Sequence, residues 1–223
     1  MSALLRLEEA VKDYDAPGGR LRVLHGVTLE VAPGETVAVT GPSGSGKSTL
    51  LGLLAGLERP SGGRLSFKGR DLTGLSEDEL AAWRRRSVGF VFQSHRLVPA
   101  LTALENVLLP LELSGVPDAE ALRRARETLE KLGLGERLGH FPHQLSGGEQ
   151  QRAALARAYV HSPELILADE PTGSLDPANA DAVLAALLSL NADRGAALVL
   201  VTHDAAVAGR LSRRVALARG RLA

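Results

Sequence analysis

The sequence has no cysteine, and this absence excludes disulfide bonds, thiol catalysis and cysteine-ligated zinc. It also has no run close to the roughly 18 consecutive apolar residues that a membrane-spanning helix requires. Its 26 Lys and Arg balance 26 Asp and Glu, so it lacks the basic excess that is typical of nucleic-acid-binding proteins. Residues Met1–Arg6 lack the basic start and long apolar core of a signal peptide. We therefore expect the protein to reside in a reducing compartment. If it takes part in a membrane process, we expect it to do so through a partner protein.

The apolar content, 44% of 223 residues, is sufficient for one compact domain with a large core. Three short apolar runs predict buried strands of a parallel sheet: Thr36–Thr40, Leu165–Ala168 and Ala197–Thr202. Each run is followed by polar or glycine-rich residues, and open α/β sheets bind ligands at that end of their strands. Upstream, Leu21–Leu24 and Val27–Val31 predict two antiparallel strands separated by turn residues.

Helices are predicted from capping residues and from apolar periodicity. Ser76 and Glu79 have the spacing of a capping box before an apolar segment. Apolar residues between Leu122 and Leu132 recur at helical spacing, and Gly133 is placed to end that helix. The stretch Leu97–Leu138 is richer in such patterns than its flanks, so we expect a helical lobe inserted there.

The segment after the first predicted parallel strand is rich in glycine: Gly41-Pro42-Ser43-Gly44-Ser45-Gly46-Lys47-Ser48, followed by Thr49. It matches G-x-x-x-x-G-K-[ST], in which glycines allow backbone N–H groups to surround an anion. A helix that begins near Gly46 would direct the positive end of its dipole at the same anion. Lys47 can reach the outer phosphates, and the Ser48 hydroxyl can bind Mg²⁺. A chance match is expected in about one per cent of chains of this length, so the segment predicts nucleotide binding.

Two acidic residues follow the apolar strand at Leu165–Ala168. Asp169 has the position of the carboxylate that organises magnesium in P-loop enzymes, directly or through water. Glu170 can polarise a water molecule for attack on the γ-phosphate. A solvated acidic turn would look similar in isolation, but the phosphate loop upstream favours a catalytic pair.

A second glycine-rich segment, Leu145-Ser146-Gly147-Gly148-Glu149-Gln150-Gln151-Arg152, precedes a predicted helix. Ser146 and Glu149 have capping-box spacing. Two glycines in a first helical turn cost about 1 kcal/mol each relative to alanine, which is reasonable if the backbone must approach an anion. Because one nucleotide hardly needs two such sites from one chain, the segment predicts a head-to-tail pair of subunits that share nucleotides.

In their order along the chain, these segments resemble the ATP-binding cassette (ABC) family over essentially the whole length. The set is the phosphate loop, Gln93 after Phe90-Val91-Phe92, the signature Leu145–Glu149, Asp169-Glu170, Ser174-Leu175-Asp176 and His203. The resemblance implies an α/β fold: a P-loop core with a mostly parallel sheet, an N-terminal antiparallel β subdomain and an inserted α-helical subdomain. It implies a single ATPase domain over residues 1–223, with approximately residues 94–160 as the helical and signature lobe.

The resemblance also implies roles for single residues. Tyr14 resembles the aromatic residue that stacks on adenine, and Asp176 the residue that communicates across the dimer. Gln93 resembles the residue that links magnesium and attacking water to the membrane-facing lobe, and His203 the residue that contacts the γ-phosphate. The implied catalytic residues are Lys47, Gln93, Glu170 and His203, and the metal-binding residues are Ser48, Gln93 and Asp169. The implied nucleotide-binding residues are Tyr14, Gly41, Pro42, Ser43, Gly44, Ser45, Gly46, Lys47, Ser48, Thr49, Ser146, Gly147, Gly148, Glu149 and Asp176.

The family resemblance further implies MgATP hydrolysis, a second ATPase subunit that forms a homodimer with ATP, and an integral membrane permease on a separate chain. The expected location is peripheral, at the cytoplasmic face of the inner or cell membrane, with no nucleic-acid partner. Phe90–Gln93 and the segment Leu97–Leu111 resemble the subgroup that drives lipoprotein release, macrolide export and cell-division permeases. Ser174 departs from that subgroup, which often carries Asn there.

Two other functions are alternatives to transport. A cassette of the DNA-repair or translation-factor kind usually carries a coiled coil, a zinc module or a second cassette, and the sequence has none of these. A P-loop kinase or GTPase would need an acceptor site or a guanine-binding motif, and would not use Leu145–Glu149.

Overall fold

The computed structural model describes residues 3–17 and 19–223. The strands are β1 (Leu5–Ala16), β2 (Gly19–Val31), β3 (Thr36–Thr40), β4 (Gly62–Phe67), β5 (Arg70–Asp71), β6 (Val88–Phe92), β7 (Leu165–Asp169), β8 (Ala197–Thr202), β9 (Arg213–Ala218) and β10 (Arg221–Leu222). The helices are α1 (Lys47–Leu54), α2 (Glu77–Ser87), α3 (Ala103–Leu113), α4 (Asp118–Lys131), α5 (Gly147–Tyr159), α6 (Pro177–Arg194) and α7 (Ala205–Ala208). The backbone forms two compact units: the described residues up to Arg84 with Ala197–Ala223, and Arg85–Ala196.

The first unit contains a four-stranded antiparallel sheet with the strand order β2-β1-β4-β5. Leu5 of β1 lies opposite Val31 of β2 and Phe67 of β4. All three side chains are buried, because residues in register across a sheet face the same side.

The prediction of two separate strands at Leu21–Leu24 and Val27–Val31 was wrong, because both segments belong to the single strand β2. Gly26 lies between them with a φ of 72°, a conformation that glycine adopts at little cost. The pairing of β1 with β2 shifts register after Leu7 and again at Ala10. These bulges let the strand continue through residues that resemble a turn in the sequence.

The same unit contains the parallel strands that carry the phosphate loop. β3 lies between β8 and β9 and is parallel to both, with Val37 opposite Val199 and Arg213. Residues Val37–Val39 are completely buried. β10 pairs antiparallel with β9 through a tight turn at Arg219 and Gly220. The predicted bounds of β3 and β8 are confirmed.

The single tryptophan of the sequence packs near the end of α1. Trp83 is 6% exposed and makes an edge-to-face contact with Phe67, with 5.4 Å between ring centroids. A Cβ placed on Gly56, two residues after α1, would lie 3.2 Å from the Trp83 ring. The indole ring is therefore part of the core beneath the C-terminal end of α1.

In the second unit, β6 and β7 pair in parallel, and helices α3, α4 and α6 pack against α5. Gly89 of β6 is required for this packing, since a Cβ there would lie 2.2 Å from the carbonyl oxygen of Ala158 in α5. Tyr159, at the end of α5, is completely buried and donates a hydrogen bond to Asn191 Oδ1 at 3.2 Å. Burial raises the pKa of Tyr159, so the phenol stays neutral.

Three predicted helix ends are confirmed by their capping geometry. Ser76 and Glu79 exchange the two hydrogen bonds of a capping box at the start of α2. Gly133, with a φ of 71°, follows the last turn of α4, and Gly46 caps α1. Within residues 3–17 and 19–223, no helix is both long and apolar enough to cross a membrane.

Candidate active site

The phosphate loop of the first unit connects β3 to α1. Gly46 is the N-cap of α1 with a φ of 101°, so the turn into the helix depends on glycine. The Lys47 ammonium donates to the carbonyl oxygens of Gly41 and Pro42 at 2.8 and 2.9 Å. These bonds hold the ammonium against the loop that the sequence predicts to bind phosphate.

A buried hydroxyl in this loop has an unused donor. Ser45 is 4% exposed, and its Oγ has no hydrogen-bond partner within the described residues. A buried hydroxyl without a partner costs about 1–3 kcal/mol, and a phosphate oxygen would supply the missing acceptor. Together with the Lys47 ammonium and the N-terminus of α1, this hydroxyl fits a nucleotide phosphate.

The loop is supported from outside by the turn between β9 and β10. The Gly220 N–H donates to the carbonyl oxygen of Ser45 at 3.2 Å, and the Gly220 carbonyl accepts from the N–H of His25 at 2.9 Å. A Cβ on Gly41 would lie 2.1 Å from the carbonyl oxygen of Leu217, so this position needs glycine. No sequence motif indicates this support, which joins residues about 175 positions apart.

Tyr14 lies beside the phosphate loop, as the family resemblance implies for an adenine-stacking residue. Its hydroxyl lies 3.4 Å from Thr49 Oγ1, in the first turn of α1, and donates to Glu58 Oε2. Burial, and then the bond to Glu58, raises the pKa of Tyr14, so the ring stays an uncharged phenol. Glu58 was not identified from the sequence, because it belongs to no motif.

His203 is exposed and follows β8. Thr202, the last residue of β8, pairs with Thr40, the last residue of β3, so His203 and the phosphate loop leave the sheet at the same edge. Asp204 receives hydrogen bonds from the N–H groups of Ala206 and Val207 and so caps α7. This cap fixes the backbone that follows His203.

In the second unit, β6 and β7 bring the other predicted catalytic residues together. Phe92 pairs with Asp169, so Gln93 and Glu170 both follow directly after paired residues. Glu170 has a φ of 45°, a conformation that non-glycine residues rarely adopt. A Cβ on Gly173 would lie 3.1 Å from Gln93 Nε2, and Ser174 donates to the Gln93 carbonyl at 3.0 Å.

The segment after Gln93 is held by Arg157 of α5. His95 and Arg96 both have positive φ angles, 57° and 48°. The Arg157 guanidinium donates to the carbonyl oxygens of both, at 2.9 and 2.7 Å. Burial lowers the pKa of Arg157, but two carbonyl acceptors compensate part of its lost hydration. Sequence reasoning missed Arg157, since the contact spans about 60 residues.

The signature segment begins α5 with the predicted capping box. Ser146 N–H donates to Glu149 Oε2 at 2.8 Å, and Glu149 N–H donates to Ser146 Oγ at 3.3 Å. The bonds from the Ser146 N–H and hydroxyl are the main reason that the pKa of Glu149 lies below its usual value. Arg137 Nε, 3.2 Å from Glu149 Oε1, adds to this effect.

The two signature glycines lie in different surroundings. Gly147 is exposed, whereas Gly148 is buried, and a Cβ on Gly148 would lie 2.7 Å from Asn179 Oδ1 of α6. Asn179 donates through its N–H and its amide to Asp176, the N-cap of α6. Gly148 therefore permits close packing of α6, a reason that the sequence did not suggest, and Asp176 lies next to the signature.

The family model described as ABC transporter matches residues 24–173 of this sequence. The chain belongs to the ABC transporter family. It is an ATP-binding cassette and an ATPase, as the sequence predicted.

Close relatives match the cassette over nearly its full length. The lipoprotein-releasing system ATP-binding protein LolD of Geobacter metallireducens is 49% identical over 222 residues, which is 100% of this chain and 99% of that protein. LolD 2 of Caulobacter vibrioides is 50% identical over 98% of this chain and 96% of its own. The macrolide export ATP-binding/permease protein MacB 1/2 of Paracoccus denitrificans is 49% identical over 98% of this chain, but the match covers 33% of that longer protein.

Solved structures agree with the fold and with the predicted dimer. A dimeric ATP-binding cassette in a post-hydrolysis state, bound to ADP and Pi, has a TM-score of 0.90 and 40% identity, covering 98% of this chain and 96% of its own. A second dimeric structure of that same cassette, described as a bacterial ABC transporter cassette, has the same TM-score, with 41% identity. The α/β fold, the membership of the family and the ATPase activity that the sequence predicted are thereby confirmed.

Proposed function

We propose that this cassette powers lipoprotein release through a separate membrane subunit, as one half of a dimer at the cytoplasmic face of the inner membrane. The observation that carries the proposal is the end-to-end match to LolD proteins, 99% of whose length is covered in one case. The proposed domain is the whole of residues 1–223, with residues 94–160 as the helical and signature lobe.

In the first unit, residues 41–49 hold the phosphates of ATP. The Lys47 ammonium exchanges its bonds to the Gly41 and Pro42 carbonyls for phosphate oxygens, and the Ser45 hydroxyl gains an acceptor. Tyr14 stacks on the adenine beside them. His203, at the same sheet edge as the loop, donates to the γ-phosphate.

In the second unit, Glu170 accepts a proton from the attacking water, and Gln93 positions that water. Mg²⁺ supplies charge neutralisation at the phosphates when it is bound. Ser48, Gln93 and Asp169 offer the oxygen ligands that Mg²⁺ prefers. Mg²⁺ is commonly bound by one or two side chains together with substrate phosphates.

The signature acts on the nucleotide of the second cassette. Ser146, Gly147, Gly148 and Glu149 present the capped N-terminus of α5 to that nucleotide, and Asp176 transmits its occupancy through the adjacent α6. Two solved structures of one related cassette are both dimeric, which supports this arrangement.

The catalytic assignment is tested by Glu170→Gln, which removes the proton acceptor and keeps the side-chain shape. We expect MgATP binding to persist, turnover to fall by at least about 100-fold, and a dimer to accumulate with ATP in size-exclusion chromatography. Glu164→Gln is the matched control, because Glu164 is an exposed acid immediately before the opposite end of β7. Turnover at the unmodified rate in Glu170→Gln would remove this residue from the role.

The transport assignment is tested by affinity purification from native membranes. A co-purifying membrane protein with few spans and a large extracytoplasmic domain would support lipoprotein release or macrolide export. Macrolide export is the second candidate, because the MacB relative is equally similar, and the substrates of the recovered complex distinguish the two. Recovery with soluble proteins alone would contradict the membrane partner.

A further inference from the structure

Three side chains of the first unit, Tyr14, Lys12 and Glu58, converge beside the phosphate loop. Lys12 and Glu58 belong to no sequence motif. Tyr14 donates its hydroxyl proton to Glu58 Oε2, and Lys12 Nζ lies 3.1 Å from the same carboxylate oxygen. Lys12 Nζ also donates to the carbonyl oxygen of Arg59 at 3.0 Å. β1 is thereby joined to the segment that follows α1.

The arrangement restricts the Tyr14 ring at both its edge and its face. Its hydroxyl is fixed between Glu58 and Thr49. The Lys12 ammonium lies over the ring, 4.9 Å from the centroid, in a cation–π contact. One face of the ring is thus occupied by a cation, and a base can stack only on the opposite face.

The carboxylate that anchors this group is itself fixed. A Cβ on Gly52 of α1 would lie 3.1 Å from Glu58 Oε1, and the Glu58 N–H donates to the Gly52 carbonyl at 3.1 Å. The Lys12 and Glu58 side chains are 15% and 33% exposed, so their charges interact where water is partly excluded. Tyr14 is therefore oriented by the carboxylate of a residue whose backbone is hydrogen-bonded to the phosphate-binding helix α1.

We propose that Glu58 and Lys12 are positioning residues that hold the Tyr14 ring ready to receive adenine on one defined face. This inference rests on the proposed stacking role of Tyr14. Ordering a side chain on binding reduces affinity by about 2- to 12-fold, and an orientation that exists beforehand avoids this loss. The positioning pair acts through Tyr14 on the base and makes no contact with the phosphates.

The test measures MgADP affinity by calorimetry and ATP turnover by phosphate release. We expect Glu58→Ala to weaken MgADP and raise KM for ATP by about 3- to 10-fold with unchanged kcat. Glu58→Gln, which keeps a hydrogen-bond acceptor, should restore part of the affinity. Inorganic tripolyphosphate, which has no base, should bind both variants as it binds the unmodified protein. Calorimetric stoichiometry gives the folded fraction of each variant.

The controls separate this inference from the stacking role. Glu77→Gln removes an exposed acid that pairs with Arg84 in the same unit, and should change nothing. Tyr14→Ala should weaken MgADP, and adding Glu58→Ala to it should weaken binding no further.

Each contrary result has a distinct meaning. Unchanged MgADP affinity in Tyr14→Ala would overturn the stacking role itself. Weaker MgADP binding in Tyr14→Ala, together with unchanged MgADP binding in Glu58→Ala, would overturn only the positioning role. Equal losses for MgADP and tripolyphosphate in Glu58→Ala would show that Glu58 acts on the phosphate-binding helix, and would also overturn the positioning role.

Discussion

Replacing Gly220 by alanine tests whether the β9–β10 turn supports the phosphate loop. Gly220 has a φ of 70°, and a Cβ there would lie 2.2 Å from the carbonyl oxygen of Val23 and 2.7 Å from the His25 ring. Neither contact is tolerable, so the turn must move. The movement would weaken the hydrogen bonds that Gly220 makes to Ser45 and His25.

The magnitude follows from these parts. A non-glycine residue in the left-handed conformation costs about 1–2 kcal/mol, and each of the two disrupted hydrogen bonds costs about 1 kcal/mol. The free energy of unfolding should therefore fall by about 3–4 kcal/mol, a large part of the total for a domain. MgADP affinity should fall as well, because the Ser45 carbonyl loses the donor that fixes the loop.

The sequence offers a matched control in the β4–β5 turn. Lys68 and Gly69 there have φ angles of 51° and 77°, nearly those of Arg219 and Gly220, which are 49° and 70°. A Cβ on Gly69 meets no atom within 4 Å. Gly69→Ala should therefore lower the free energy of unfolding by only the conformational cost of about 1–2 kcal/mol, and leave MgADP affinity unchanged.

The assay is urea unfolding of both variants, followed by calorimetric titration with MgADP at a temperature where both are folded. A difference of about 2 kcal/mol between the variants is expected, with weaker nucleotide binding only in Gly220→Ala. Equal stability losses and equal affinities would refute the reasoning, because they would show that the contacts of the turn contribute nothing to the loop.

Two further predictions concern the second unit. Ser146→Ala and Thr102→Ala each remove a capping-box hydroxyl and should lower the free energy of unfolding by about 1 kcal/mol. Only Ser146→Ala should also reduce ATP turnover. Equal turnover in the two variants would contradict a role for the signature cap. Burial is the main cause that lowers the pKa of His161 in the folded chain. The contribution of neutral His161 to stability is therefore complete above about pH 6.5 and decreases as the pH falls, because the unfolded chain then binds a proton that the folded chain does not. His161→Gln should therefore lose less stability than the unmodified protein between about pH 6.5 and 5. Chemical unfolding at each pH measures this, with His143→Gln, at an exposed position, as the control. Parallel curves of unfolding free energy against pH for His161→Gln and the unmodified protein would contradict the prediction.

Much of the fold could be predicted because its signals are local. β3 and β8 are short uninterrupted apolar runs, and their bounds agree with the structure. The caps at Ser76 and Ser146 require only residues three positions apart. The same spacing is present at Thr102 and Glu105, where a capping box begins α3 and was overlooked.

The misjudged parts depend on contacts between distant segments. β1 was not predicted, and β2 was predicted as two strands. Glu9 and Gly26 adopt positive φ angles inside the paired region and disturb the alternation of apolar and polar residues. At the site, the motifs gave the phosphate loop and the acidic pair. Glu58 and Arg157 act across 44 and about 60 residues, and only the folded chain brings them to Tyr14 and the Gln93 loop.

The position of Trp83 gives this ATPase an intrinsic optical reporter. The sequence has no other tryptophan, so emission excited selectively at long wavelength comes from one indole ring. That ring lies against the C-terminal end of α1, the helix that follows the phosphate loop, and its Nε1 has no hydrogen-bond partner within the described residues. In such apolar surroundings the emission is blue-shifted, and a displacement of α1 on nucleotide binding would change its wavelength or intensity. Stopped-flow fluorescence would then follow nucleotide binding in real time without attaching a dye.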